Sequence, residues 1–329
     1  MVNTGLKCIL IAALLATLTE CGAAEEGNGA RRHGALRVEG SRLVDRYGAT
    51  VQLRGMSSHG LHWYPEYTCY SSILETKERG ANLFRLAMYA DSIHGGYSES
   101  AATADLNTRL LLQGVENALA ADMYVIVDWH LLKDENPLKL VDNAIQFFQE
   151  ITRRYPDHPA ILYEICNEPN GETTWKDIRD YAERVIPVIR RLSPNAIVLV
   201  GTPQHSSDVL AVMESPLDEA NIMYTYHLYT GFGENDFGPK LDAMRAAGLP
   251  VFVSEWGLST DAETGILDVD EARVFIDYMR THSLSWVNWS LSNKDEVFSA
   301  IRPDVTRLSG WGEDDLTISG QIIFAALKD

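Results

Sequence analysis

Eight short apolar runs punctuate the chain: VQLRGM (51–56), NLFRLAMY (82–89), YVIVDW (124–129), ILYEIC (161–166), AIVLVG (196–201), IMYTYH (222–227), VFVSEW (251–256) and LSWVNW (284–289). They are near-continuously hydrophobic rather than alternating, as in parallel strands buried on both faces. Helical periodicity fills the intervals. Residues 103–121 set Leu106, Leu110, Val115 and Leu119 on one stripe, and residues 137–155 open on Asn136-Pro137, a cap followed by proline at the first helical position. Residues 173–193 close at Pro194, and 270–282 repeat the period. Ahead of the runs, LRVEGSRLVDRYGATVQL alternates with glycine at its turns and predicts a hairpin. Strand and helix alternating eight times over about 290 residues predict an α/β fold of the (β/α)8 (TIM) barrel type. An open doubly wound sheet would need a Gly-rich phosphate loop after its first strand, and RGMSSHG is not one.

A barrel collects its chemistry at the C-terminal ends of its strands. His59 follows the first run, Arg85 lies in the second, and Asp128 with His130 ends the third. Asn167 and Glu168 follow the fourth, His227 and Tyr229 the sixth, Glu255 lies in the seventh and Trp289 ends the eighth. Six of the eight exits thus carry an ionisable group.

Glu168 and Glu255 are the unusual pair, because a buried apolar strand avoids an unpaired carboxylate at its end. Two glutamates facing one cavity are the equipment of glycoside hydrolysis, one protonated to assist the leaving oxygen and one ionised to attack the anomeric carbon. In that reading Arg85 and the Tyr229 hydroxyl hold Glu255 ionised, burial and its partner's charge raise Glu168, and His130 and His227 tune the pair. A single strand-end glutamate is more often paired with an arginine across the rim, and Asp128 reads as structural, bonded to backbone or to Arg85. His59, His62, His130 and His227 raise the question of a metal, but no His-x-His or Glu-x-x-His spacing accompanies them, so none is expected. Trp63, Trp175, Trp289 and Trp311 fit a core; Trp63 and Trp311 lie in Gly- and Pro-flanked loops, where rings stack on ligands such as sugars.

The net charge of −18 argues against nucleic acid as a partner and suits a neutral ligand. Lys7 precedes CILIAALLATLT and the small residues Cys21-Gly22-Ala23-Ala24, so residues 1–24 read as a signal peptide too short to span a bilayer, 25–34 as a polar linker and 35–329 as a single catalytic domain. Secretion is expected; the alternative is a lipid anchor at Cys21, surface or periplasmic, for which Glu20 is a poor fit. Loss of that segment leaves Cys69 and Cys166, a buried hydrophobe and a possible bridge partner.

In order, LRGMSSHGLHWY, FRLAMY, VIVDWH, YEICNEPNG, MYTYHLY, FVSEWG and WVNWSLSNKDE resemble glycoside hydrolase family five, most closely its bacterial endo-β-1,4-glucanase (cellulase) branch. The similarity runs from about residue 37 to the end, including Gly310-Trp311, Leu316 and Ser319-Gly320. The resemblance implies a retaining endoglucanase without a cofactor, a monomer acting on β-1,4-glucan, with Glu168 as acid/base and Glu255 as nucleophile. It carries Arg85, His130, Asn167, His227, Tyr229 and Trp289 over as supporting residues, with Asn167 on the sugar 2-hydroxyl. His59, Trp63, Tyr89, Lys294 and Glu296 carry over as glucose-subsite residues, and a cis peptide is implied at Trp289-Ser290. His62 and Asn293 depart from many relatives and leave subsite preference open. The same chemistry on mannan, xyloglucan, lichenan or xylan is the first alternative, and a non-catalytic glucan-binding barrel or a metal-dependent hydrolase the others.

Overall fold

The computed structural model describes residues 28–231, 236–259 and 266–328. The expected signal segment, 1–24, lies outside the described residues. Of the polar linker, the described part folds onto the barrel: Ala30–His33 form one helical turn, Arg31 N–H donates to Asp122 and His33 meets Asp45 at 3.0 Å.

A two-stranded antiparallel hairpin, Arg37–Glu39 with Arg42–Val44, precedes the main sheet. Eight parallel strands follow: β1 Arg54–Ser58, β2 Leu83–Tyr89, β3 Tyr124–His130, β4 Ile161–Glu164, β5 Val198–Val200, β6 Ile222–Tyr229, β7 Val251–Gly257 and β8 Trp286–Leu291. β8 pairs with β1 and closes the barrel. β1 begins later than its apolar run because Val51 N–H is committed to Leu43 of the hairpin at 2.9 Å.

The helices are α1 Tyr70–Glu78, α2 Ala101–Ala120, α3 Val141–Arg154, α4 Trp175–Arg190, α5 Phe237–Ala246, α6 Val269–Thr281 and α7 Ile318–Ala326. Sequence signals place their starts. Ser100 with Thr103 and Thr174 with Asp177 form capping boxes that satisfy the first free N–H groups of α2 and α4. Asn136 caps a 3-10 turn, Pro137–Leu140, and α3 begins only after it. The alternation breaks once. After β5 the chain makes a left-handed turn and a 3-10 helix, Val209–Glu214, where an α-helix is expected.

Period-two alternation sorts the barrel's interior into layers. Leu53, Leu83, Tyr124, Ile126, Leu162, Leu199, Met223, Phe252 and Val287 form an apolar floor. Facing outward, residues such as Val125, Val127 and Tyr163 pack against Phe147, Phe148, Ile151 and Val185 of the helices. Each such burial contributes about 1.5–3 kcal/mol, enough in sum to hold polar groups in the layer above the floor.

Candidate active site

The polar layer is built by strand register. Two residues beyond Leu83 on β2 comes Arg85, and the neighbouring strands place Asp128 beside Ala87 and Glu164 beside Asp128. Arg85 is fully buried and its guanidinium is saturated. Nε donates to Glu164 at 2.7 Å, Nη1 to Glu255 at 2.8 Å and Nη2 to Asn167 Oδ1 at 2.6 Å, with Asp128 at 3.0 Å. Burial opposes its charge, but Asp128, Glu164 and Glu255 outweigh burial and raise it further above the ordinary arginine value.

Glu255 owes its aim to an irregularity in β7. Thr225 pairs with Phe252 but His227 pairs with Glu255, so β7 carries one residue more than β6 over that span. Such a bulge re-aims side chains, and both Ser254 and Glu255 bond inside the barrel: Ser254 to Glu164, and Glu255 to Arg85 and Tyr229. The Tyr229 hydroxyl donates to Glu255 Oε1 at 2.6 Å. Burial, then Glu255 and Glu168, push that phenol well above its ordinary range and keep the donor protonated.

Glu168 hangs from the neighbouring strand exit rather than extending β4. Asn167 N–H bonds to Trp129 O at 3.3 Å and Glu168 N–H to Leu131 O at 3.1 Å. The bend needs Gly201 beside it, since a Cβ there would stand 2.3 Å from Cys166 O. His227 reaches Glu168 Oε1 through Nδ1 at 2.9 Å and Ser254 Oγ through Nε2 at 3.0 Å. Ser254 in turn donates to Glu164 at 2.7 Å.

The electrostatics correct one expectation. Burial does push Glu168 upward, but His227, His205 and His130 outweigh it, and the carboxyl lies below its ordinary value. The proton of this pair sits on His227. Burial would lower that imidazole, but hydrogen bonds to Glu164 and Glu168 raise it to about 9. Glu164, which burial alone would raise, is brought to about 2 by Arg85 and His227. His130 goes the other way, lowered to about 4 by burial and then by Arg85. It is therefore neutral, with Nδ1–H donating to Asp128 at 2.6 Å and Nε2 facing the Asn167 amide at 3.4 Å.

An aromatic wall stands to one side of the carboxylates. Trp289 stacks on His130 with centroids 5.3 Å apart, and Tyr89 lies against His130 at 4.3 Å. Trp63, 43% exposed, packs on His62 at 4.3 Å and on the edge of Tyr89 at 4.7 Å. His59, Trp63, Tyr64 and Lys294 line a cavity of about 430 Å³. Lys294 bonds Glu296 at 2.5 Å and lies 3.4 Å from His59, whose imidazole burial and Lys294 lower to about 3. The Trp289-Ser290 peptide is cis.

Two sequence suggestions fail here. Trp311 is a buried core residue, stacked between Tyr67 and Phe324 with its indole N–H on Arg307 O. Cys69 and Cys166 are free thiols, not a bridge. Asn293 is tied to Val305 O at 3.0 Å, outside the carboxylate cluster. Three functional-looking residues escape the sequence reading: Glu164, Ser254 and His205, whose Nδ1 lies 3.4 Å from Glu168 Oε2. Glu164 was legible as an inward position of its strand, two residues beyond Leu162.

Glu168, His227 and Glu255 bring one ligand atom each within 4.8 Å of one another, the one such cluster among the described residues. Their ligand atoms already serve other partners. Glu255 takes Arg85 and Tyr229, and His227 donates from both nitrogens. A cation there would stand against the Arg85 guanidinium, so the donor set suits proton transfer better than an ion.

A (β/α)8 barrel with two converging carboxylates at its mouth has the architecture of a glycoside hydrolase. The family description Cellulase, glycosyl hydrolase family 5, matches residues 44–295, and the chain belongs to that family. Endoglucanase A of Butyrivibrio fibrisolvens is 44% identical over 292 residues, covering 87% of this chain and 67% of the relative. An endoglucanase of Clostridium saccharobutylicum is 39% identical over 292 residues, covering 88% of this chain and 64% of the relative. The chain thus spans about two-thirds of the length of these relatives. The catalytic domain of a Thermobifida fusca endoglucanase, solved in complex with cellotetraose, superposes with a TM-score of 0.84 at 34% identity, covering 92% of this chain and all of that one.

Proposed function

We propose that the protein is an endo-acting β-1,4-glucanase that hydrolyses internal bonds of cellulose and related β-glucans with net retention. The observation that carries the reading is that one carboxylate oxygen of Glu168 and one of Glu255 lie within 4.8 Å of each other, too close to seat a water between the groups, while each carboxylate has a different set of partners. Double displacement needs carboxyls about 5–5.5 Å apart, whereas inversion needs about 6.5–9.5 Å to seat a water. Relatives named endoglucanase and a neighbour holding cellotetraose support the β-1,4-glucan substrate.

In this mechanism Glu255 attacks the anomeric carbon while Glu168 protonates the departing oxygen. The proton is drawn from His227 Nδ1, which lies 2.9 Å from Glu168 Oε1, and leaves through Glu168 as the glycosidic bond breaks. Water then attacks the glycosyl ester, gives a proton to Glu168 that passes back to His227 Nδ1, and releases Glu255. Asn167 keeps Oδ1 on Arg85, while its amide N–H groups make only long contacts of 3.3 and 3.4 Å. They are available to the 2-hydroxyl, where contacts strengthen in the transition state. Trp63 and the His59–Lys294 cavity extend the cleft along the chain, consistent with binding several glucose units.

Glu168→Gln should abolish hydrolysis of carboxymethylcellulose while leaving substrate binding nearly intact; unchanged turnover would refute the acid/base role. Proton NMR of the first-formed anomer tests retention directly, and a fall in viscosity ahead of reducing-end release tests endo action. Export of the enzyme belongs to the same reading, supported by the basic, apolar and small-residue order of residues 7–24. N-terminal sequencing of the secreted protein would locate the cleavage and show whether Cys21 carries lipid.

A further inference from the structure

Glu168 is held from two sides, and only one of its partners lies inside the barrel. Oε1 accepts from His227, whereas Oε2 faces His205 Nδ1 at 3.4 Å. The His205 side chain is 57% exposed against 12% for Glu168, so its imidazole stands between the carboxylate and solvent. It reaches that place by an unusual route. Gln204, His205 and Ser206 take φ values of 57°, 57° and 58°, the left-handed region that side chains other than glycine rarely occupy.

A strained turn of this kind persists only where its surroundings over-determine it. Here the anchors all lead to the strand end that bears Glu168. His205 N–H donates to Pro169 O at 3.0 Å. The Ser206 hydroxyl donates to Asn167 O at 2.6 Å, accepts from Thr202 N–H at 3.2 Å and meets the Thr225 hydroxyl at 3.0 Å. The turn and the Asn167-Glu168-Pro169 segment are thus cross-linked, and the side chain between the anchors points at the carboxylate.

We propose that His205 is a positioning residue for Glu168: its imidazole holds the outer carboxylate oxygen toward the leaving-group side of the cleft. This rests on Glu168 being the acid/base. The groups around Glu168 are His227 and Tyr229 from β6, His130 from β3, Tyr89 from β2 and Glu255 from β7, with His205 from the turn. Of these, His227 contributes more than His205 to lowering Glu168, and His130 contributes less. Loss of the imidazole therefore raises the proton affinity of the Glu168–His227 pair, and the sign is fixed: the alkaline limb of kcat/KM, where the pair loses the proton that Glu168 must donate, moves to higher pH.

The test is a pH profile of kcat/KM on carboxymethylcellulose for wild type, His205→Gly and His205→Asn. Glycine takes the left-handed turn without strain and has no side chain, so it removes the contact and keeps the backbone. Asparagine tolerates the turn and returns an amide donor where the imidazole Nδ1 stood. The expected result is an alkaline limb about half a pH unit higher in His205→Gly, a shift of the size an exposed partner exerts, returned toward wild type in His205→Asn. A uniform loss of activity at every pH would make the residue structural and overturn the proposal, as would an unmoved limb. Glu168→Gln run alongside separates the two layers: full turnover in that variant would refute the acid/base reading beneath, whereas an inactive Glu168→Gln with an unmoved His205→Gly limb would refute this inference alone.

Discussion

Replacing Glu164 by glutamine changes one atom and removes one charge, at a position with no exposure to solvent. The residue joins three others: Arg85 at 2.7 Å, Ser254 at 2.7 Å and the His227 ring at 3.9 Å. Two independent arguments size the effect. A carboxyl held at about 2 against an ordinary 4.5 corresponds to on the order of 3 kcal/mol of stability at neutral pH. Removing one partner of a buried ion pair costs about 3–5 kcal/mol, and the lower end applies because Arg85 keeps Glu255 and Asp128. At roughly 2 °C or slightly more per kcal/mol for a domain of this size, the midpoint of thermal unfolding should fall by about 6–9 °C.

The same substitution reaches the catalytic pair. Ser254 donates to Glu164 and accepts from His227, so an amide at Glu164 that donates to Ser254 leaves two donors aimed at one hydroxyl. The His227 cation loses a partner that raises it, and the proton it holds for Glu168 departs at lower pH. Calorimetry and a pH profile of kcat/KM measured together should show the fall in midpoint and an alkaline limb displaced toward acid. A midpoint within about 1 °C of wild type with an unmoved limb would refute the chain from Glu164 through Ser254 to His227.

Three further outcomes follow from the same geometry. Tyr229→Phe removes the 2.6 Å bond to Glu255 and should lower kcat/KM about 10–100-fold, the worth of a charge-assisted hydrogen bond, with near-normal unfolding; a loss under twofold would refute its role. Gly201→Ala puts a Cβ 2.3 Å from Cys166 O and near the Pro169 ring, so the unfolding midpoint and kcat should both fall, and an unchanged pair of values would show that the Glu168 bend does not need the gap. Stability in urea should be greatest between about pH 5 and 6.5. Glu164, depressed to about 2, contributes fully above its ordinary 4.5 and loses that contribution as pH falls toward 2. His227, raised to about 9, contributes fully below 6.5 and loses it as pH rises through 9. A midpoint that climbed steadily from pH 7 to pH 9 would contradict the sign.

The barrel was legible because its strands are buried on both faces, which leaves near-continuous apolar runs that no amphipathic helix imitates. Polar residues at the ends of those runs stand out for the same reason, and Glu168 and Glu255 are visible as breaks in the pattern. Trp311 misleads because a glycine-flanked loop predicts exposure, whereas its ring slots between Tyr67 and Phe324, residues distant in sequence. The helix expected after β5 fails because Thr202-Pro203 opens a left-handed turn that serves the neighbouring strand end instead of the barrel wall.

What sequence conceals is coupling. Glu164 sits inside an apolar run, and nothing local distinguishes a catalytic-site counter-ion from a misplaced charge; its meaning comes from Arg85, 79 residues earlier, and Ser254, 90 residues later. The sign of the shift at Glu168 is hidden for the same reason. Burial and a neighbouring carboxylate, both readable from strand order, raise it, but His227 lies 59 residues away on a strand not adjacent to β4, and its imidazole decides the balance. The two glutamates differ less in how buried they are than in which cation each meets. Glu255 meets Arg85, which cannot give up its proton, and is suited to attack. Glu168 meets His227, which can, and is suited to pass a proton on. The division of labour between them thus lies in their partners, which the closing of the barrel selects, rather than in the strand ends that carry them.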